Sequence, residues 1–277
     1  MSQKLIQNLK AAGKATLVFD SPDGTRVLML PYGGRVLGLF APGSSENFYW
    51  TNPALNSIKS AKAFLGSSQW QNTGGDRTWL APEVDFFFPN FPKLDKYFQP
   101  RQFDPGHYKV VKKDGRTQLV NRFTVGLTRS KKEVTLEITK SVGPSPNPLR
   151  YERGMGRKLA GVKYAGYTQF TSLELIGSSI KTKDQMGLWN LVQMPNGGDL
   201  LVPTYARTKP KIYFGNIPAR DLIAKGQLVR YKMRAPGEQK IGIRAIATAG
   251  RVGYIYPTGK HWALIIRNFT VNPSGEY

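Results

Sequence analysis

Short runs in which apolar and polar residues alternate follow one another along nearly the whole chain, and no other feature constrains the fold so strongly. They occupy 16–19, 26–30, 36–40, 107–111, 119–123 and 134–138, then 167–176, 187–194, 200–202, 211–214, 228–233, 240–245, 253–256 and 263–269. A period of two sends successive side chains to opposite faces, the geometry of a strand with one buried face. Turn signals such as Pro22-Asp23-Gly24, Pro31-Tyr32-Gly33-Gly34 and Lys113-Asp114-Gly115-Arg116 stand between them. With no helical periods between the strands, a parallel α/β sheet is excluded and an all-β antiparallel sandwich is expected.

At 277 residues the chain is near the upper size for one hydrophobic core. The expectation is a single domain over residues 1–277, or two intimate halves, with the Pro-rich stretch 141–148 as the candidate boundary. Leu5, Ile6 and Leu9 share a helical face ahead of Gly13, which predicts a short opening helix. The start has no apolar run of signal-peptide length, and no segment approaches the roughly 20 apolar residues of a membrane span. The expectation is therefore a soluble cytoplasmic protein. Cysteine is absent, which excludes disulfides, zinc thiolate sites and thiol nucleophiles.

The formal charge of +22 is large enough to attract nucleic acid, anionic glycans or acidic membrane surfaces. The basic residues spread from end to end. In Val229-Arg230-Tyr231-Lys232-Met233-Arg234 the alternation predicts a solvated strand face of Arg230, Lys232 and Arg234, with Val229, Tyr231 and Met233 facing inward. The densest cluster is Arg150, Arg153, Arg157, Lys158 and Lys163, which reads either as an anion-binding loop or as a solvated one.

The segment Gly74-Gly75-Asp76-Arg77-Thr78-Trp79-Leu80-Ala81-Pro82-Glu83-Val84-Asp85 concentrates the residue types that grip polyhydroxylated ligands. Arg, Asp and Glu hold hydroxyls by bidentate hydrogen bonds, and an apolar ring face lies on Trp. In extended chain, Arg77 and Trp79 share a face, and so do Glu83 and Asp85. Asp76 and Arg77 can equally form a turn ion pair, with Trp79 in the core. The aromatic, Pro-broken stretch from Phe86 to Pro100 is expected as a long loop over the sandwich or its pocket mouth.

Other motifs fall away. Gly154-Met155-Gly156-Arg157-Lys158 lacks the third glycine and the βαβ context of a dinucleotide loop, and no P-loop occurs. No cofactor is implied. His107 and His261 are far apart in sequence, each in an alternating segment, so a histidine metal site would need remote carboxylates as well.

Five segments together resemble the galactose mutarotase-like superfamily, the relatives of aldose 1-epimerase. They are Gly33-Gly34-Arg35-Val36-Leu37-Gly38-Leu39-Phe40, Phe48-Tyr49-Trp50-Thr51-Asn52-Pro53, the Gly74 to Glu83 stretch, Gly187-Leu188-Trp189-Asn190-Leu191-Val192-Gln193 and Asn272-Pro273-Ser274-Gly275-Glu276-Tyr277. The resemblance implies a large antiparallel β-supersandwich that binds a monosaccharide or a glycan end, with Arg77 at the early sugar-binding position and Trp79 and Glu83 as its neighbours. In active relatives a glutamate base takes the anomeric proton and a histidine acid protonates the ring oxygen, so the ring opens and recloses as the other anomer. Here the two histidines, His107 and His261, do not stand in the Asn-His-x-Tyr-Phe-Asn-type motif of those relatives. Relatives also continue past the Pro-Ser-Gly-Glu-Tyr segment with strands that supply the glutamate, so a fold lacking those strands is expected.

The leading expectation is carbohydrate binding, with Arg77, Asp76, Glu83 and Asp85 on hydroxyls or a sugar acid and Trp79 stacked on the ring. An epimerase reading adds Glu83 or Asp85 as base and His107 or His261 as acid. The alternative is a basic protein that binds polyanions or nucleic acid without catalysis, with Tyr and Trp stacking on bases and a steep salt dependence.

Overall fold

A computed structural model describes residues 3–177 and 185–271, and its chain divides into two compact units, Met1–Met194 and Pro195–Tyr277. The protein is all-β, built of open antiparallel sheets. The Pro-rich stretch is not the boundary between the units. A strand runs straight through its first part to Pro144, because a terminal proline costs a ladder no internal hydrogen bond.

The first unit opens with α1 (Gln3–Ala11), which buries Leu5 and Leu9 and ends at Gly13 in the left-handed region, φ 72°. There follow β1 (Leu17–Asp20), β2 (Arg26–Leu30), β3 (Arg35–Phe40), α2 (Ile58–Gly66), β4 (Asp76–Ala81) and the single helical turn α3 (Glu83–Phe86). Then come β5 (Lys109–Lys113), β6 (Arg116–Leu127), β7 (Lys132–Pro144), the short α4 (Met155–Lys158), β8 (Tyr167–Leu175) and β9 (Gly187–Val192). They make a five-stranded sheet, β1-β2-β3-β4-β9, and a four-stranded sheet, β5-β6-β7-β8. The two sheets face each other. Val27, Met29, Val36 and Leu39 of one meet Leu119 and Val142 of the other, and Leu80 meets Phe123, Val125 and Leu136. On its outer side the five-stranded sheet buries Leu28, Leu30, Leu37 and Phe40 against α1 and α2. The sequence patterns did not anticipate α2, whose Ser57 cap accepts a hydrogen bond from the Ser60 amide.

The joint between β3 and β4 is loose, since the register pairs only Val36 with Asp76. The carbonyls of Gly34 and Asp76 at this joint both accept hydrogen bonds from Nζ of Lys140, at 3.1 and 3.3 Å. Lys140 stands on β7 in the opposite sheet and is fully buried. A lysine from across the sandwich thus satisfies carbonyls that the parting strands would leave bare.

The second unit contains β10 (Asp199–Pro203), β11 (Lys211–Phe214), β12 (Leu222–Lys225), β13 (Leu228–Lys232), β14 (Lys240–Gly242), β15 (Arg251–Thr258) and β16 (His261–Asn268). Its sheet order is β12-β13-β10-β15-β16, with β11 and β14 paired separately. Val202, Val229, Tyr231, Tyr254, Tyr256 and Ala263 are buried. Val229 and Tyr231 point inward as the alternation requires, but β13 ends at Lys232 and leaves Met233 exposed. Arg230 and Arg234 are not merely solvated, because both pair with the buried carboxylate of Asp199.

Gly74 and Gly75 lie in the left-handed region, at φ 92° and 72°. A Cβ on Gly75 would sit 2.3 Å from the Val36 carbonyl oxygen, and one on Gly74 equally close to that of Trp50. Neither neighbour can retreat, since both are backbone. Gly75→Ala should therefore cost at least about 2 kcal/mol, combining the left-handed penalty with the clash, and urea unfolding will read the loss.

Candidate functional site

β4 sends Arg77 and Trp79 to its outer face and Asp76, Thr78 and Leu80 toward the opposite sheet. It pairs with β9 so that Arg77 opposes Leu191, Thr78 opposes Asn190 and Trp79 opposes Trp189. At its start the Gly75 amide donates to the Trp50 carbonyl at 2.9 Å, and the Trp50 amide donates to the Gln193 carbonyl at 3.1 Å. Four of the five segments that carry the family resemblance thereby lie side by side, on β3, the 48–53 strip, β4 and β9. The fifth, 272–277, lies outside the described residues.

Beneath Arg77 is a buried polar centre built on Asp104. Its Oδ1 accepts from Arg35 at 3.0 Å, and its Oδ2 accepts from Arg35 at 3.0 Å, from Trp70 Nε1 at 3.0 Å and from Trp79 Nε1 at 2.7 Å. Arg35 is 1 % exposed, and its Nε and Nη1 find no partner. Arg77 is 9 % exposed and lies over the indoles, 4.0 Å from the Trp79 ring centre and 5.3 Å from that of Trp70. Its Nη1 donates to the amide oxygens of Asn72 at 3.2 Å and Gln193 at 3.4 Å, while its Nε is buried without a partner. Burial, and then repulsion from Arg35, pull the Arg77 pKa down to about 10.

Tyr97, 46 % exposed, covers this face from the 86–100 loop and stacks on Phe87 with ring centres 5.6 Å apart. Burial raises its hydroxyl above the ordinary tyrosine value, and the Glu83 carboxylate adds to the rise while Arg77 opposes it. Tyr97 therefore lies within electrostatic reach of both Glu83 and Arg77.

The structure groups some of the residues expected to act together and disperses the others. Arg77 and Trp79 share one face of β4, and Glu83 lies past its end, within electrostatic reach of Tyr97. Trp79 is not available for stacking on a ring, because it is 3 % exposed, its faces meet Arg77 and Phe87, and its indole N–H is committed to Asp104. The half-buried Trp70 and Trp189 flank it, with ring centres 5.7 and 6.1 Å away. Asp76 is on the other face of β4, where its Oδ2 accepts from the Tyr167 hydroxyl at 3.4 Å.

Glu83 and Asp85 do not continue the strand, since β4 ends at Ala81 and both lie in α3. Asp85 is no candidate base. It is buried, and its oxygens accept the Arg129 amide at 3.0 Å and the Arg129 Nε at 2.8 Å, which pins the turn between β6 and β7. His107 is exposed on a cleft of about 250 Å³ with Lys14, Tyr32 and Tyr108. His261 is exposed at the start of β16, in the second unit. The cluster Arg150, Arg153, Arg157, Lys158 and Lys163 is exposed throughout. Among the described residues no helix is long and apolar enough to cross a membrane, and no three His, Asp or Glu groups are placed to hold a metal.

Arg35, Trp70, Asn72, Tyr97, Asp104 and Gln193 received no site role from the sequence. The one available signal was Arg35, a charge inside the apolar run of β3, where a buried guanidinium demands an acidic partner elsewhere.

These features define an open antiparallel β protein with an arginine-centred, tryptophan-flanked polar site on the outer face of one sheet. Residues 3–277 match the Family of unknown function (DUF6786), and the chain belongs to that family. Neither a curated protein nor a solved structure matches it.

Asp104→Asn would leave Arg35 as a buried charge without a counterion. The expected loss is about 3–5 kcal/mol in urea unfolding, against less than about 1 kcal/mol for the exposed Asp20→Asn, whose pair with Arg26 is solvated.

Proposed function

We propose that the protein is a mutarotase-like carbohydrate-binding β-sandwich that takes a sugar or sugar acid on the Arg77 face of β4 and β9. The observation that carries this reading is the state of Arg77, a mostly buried guanidinium set against indole rings and bonded to two neutral amide oxygens. Guanidinium and amide groups meet vicinal hydroxyls with directional hydrogen bonds, and indole faces accept the C–H side of a sugar ring. Trp70 and Trp189 offer the partly open faces, Asn72 and Gln193 the amides, and Tyr97 the hydroxyl at the rim. The convergence of four resemblance-bearing segments around Arg77 supports the mutarotase-like reading over a chance likeness of scattered peptides.

Anomer exchange would need a base and an acid on opposite sides of the ring. Glu83 is a carboxylate with the Tyr97 hydroxyl within its field. Neither histidine takes part in this reading.

Calorimetric titration of a sugar and sugar-acid panel should give saturable binding that Arg77→Ala weakens at least about tenfold, the value of a lost charge-assisted hydrogen bond. Uptake of every polyanion alike by both proteins, abolished by salt, would place the activity in the +22 charge instead. With the bound sugar identified, NMR exchange rates separate binder from epimerase. Acceleration over buffer that Glu83→Gln removes marks an enzyme.

A further inference from the structure

We infer that the sugar this site takes carries a carboxylate, seated on the Arg77 guanidinium. The inference rests on the reading of the Arg77 face as a sugar site and narrows it to hexuronate-type ligands.

The argument is one of charge. Two guanidinium groups, Arg35 and Arg77, are buried around a single carboxylate, that of Asp104. Arg35 takes both oxygens of Asp104, and the two indole N–H groups take what remains of Oδ2. The hydrogen bonds of Asp104 thus go to Arg35 and the two indoles, and none of them reaches Arg77. Asp76, next in sequence, is turned to the other face and its Oδ2 is engaged with Tyr167. Asp85 is held by Arg129.

Among the described residues Arg77 forms no ion pair, and the negative groups that act on it are Asp104 and, when ionised, Tyr97. One positive charge is left over in a mostly buried place. Neutral amides at 3.2 and 3.4 Å and the faces of two indoles soften that charge without cancelling it. The Nε of Arg77 also lacks an acceptor. A guanidinium with a spare N–H, an unneutralised charge and aromatic walls suits a planar carboxylate joined to a ring, because the carboxylate accepts in bidentate fashion and the ring meets the partly open indoles of Trp70 and Trp189. A neutral sugar satisfies the N–H groups and leaves the charge.

The test compares D-glucuronate and D-galacturonate with their methyl esters and with glucose and galactose, by calorimetry at physiological salt. In the parent protein the free acids should bind at least about tenfold more tightly than the esters and neutral sugars. Arg77→Gln, which keeps an amide for hydroxyls, should bring that ratio to about one, whereas Arg77→Lys should keep part of it. Near-ultraviolet circular dichroism checks that both variants are folded, and the lysine variant carries the comparison if the glutamine one is not. Neutral sugars that bind as tightly as the acids would overturn the inference and leave the sugar site standing. Failure of every sugar and acid to bind would sink both. An acid preference unchanged in Arg77→Gln would overturn the assignment to this residue and place the preference in the overall charge.

Discussion

The carboxylate of Asp104 organises the first unit more than any other group. It draws together Arg35 from β3, Trp79 from β4 and Trp70 from the connection between α2 and β4. Each of these donors would be costly to bury alone, and the acceptor would be costlier still. Together they form one buried network around the acid. Its neighbours follow from that network. With the Trp79 indole pinned by its N–H, one ring face is presented to Phe87 and the other to Arg77. The aromatic loop then packs onto Phe87 through Tyr97. The position of the loop is thus a consequence of where one carboxylate sits.

The strands were legible because burial on one face writes a period of two into the sequence. β6 and β7 show it, growing outward from runs at 119–123 and 134–138, whereas β2 fills 26–30 as expected with both faces buried. α2 was hidden because its buried face is small, Ala61 and Leu65 only, so the helical period carries little apolar signal. β12 was hidden for the opposite reason. Its four residues, half exposed, are too few for a period to register. The Pro-rich stretch misled because proline there terminates a strand, and termination resembles a linker in composition.

For the site, residue type was informative and residue neighbourhood was not. The run from Gly74 to Asp85 did hold Arg77 and Trp79 on one face. Its partners Asn72, Asp104 and Gln193 come from separate parts of the chain, and only the pairing of β4 with β9 and the path of the 102–106 segment bring them near. Extending the strand pattern through Pro82 also placed Glu83 and Asp85 on a strand, where the backbone makes a helical turn instead. A pattern read along one segment cannot register a contact made by another. Arg35 shows the one route around this limit, since a lone charge in an apolar strand announces a distant counterion without saying where it is.

The loose joint between β3 and β4 gives Lys140 a second meaning. Arg35 and Arg77 stand on strands that share one pair of residues, so the gap between the two guanidinium groups is not set by a hydrogen-bond ladder. It is set by an ammonium that reaches from β7 and holds a carbonyl on each side of the parting. Lys140 acts as a tie bar, and the width it fixes is felt on the far side of the sheet from where it enters. A change in β7 that displaced this ammonium would therefore shift the strands that carry both arginines.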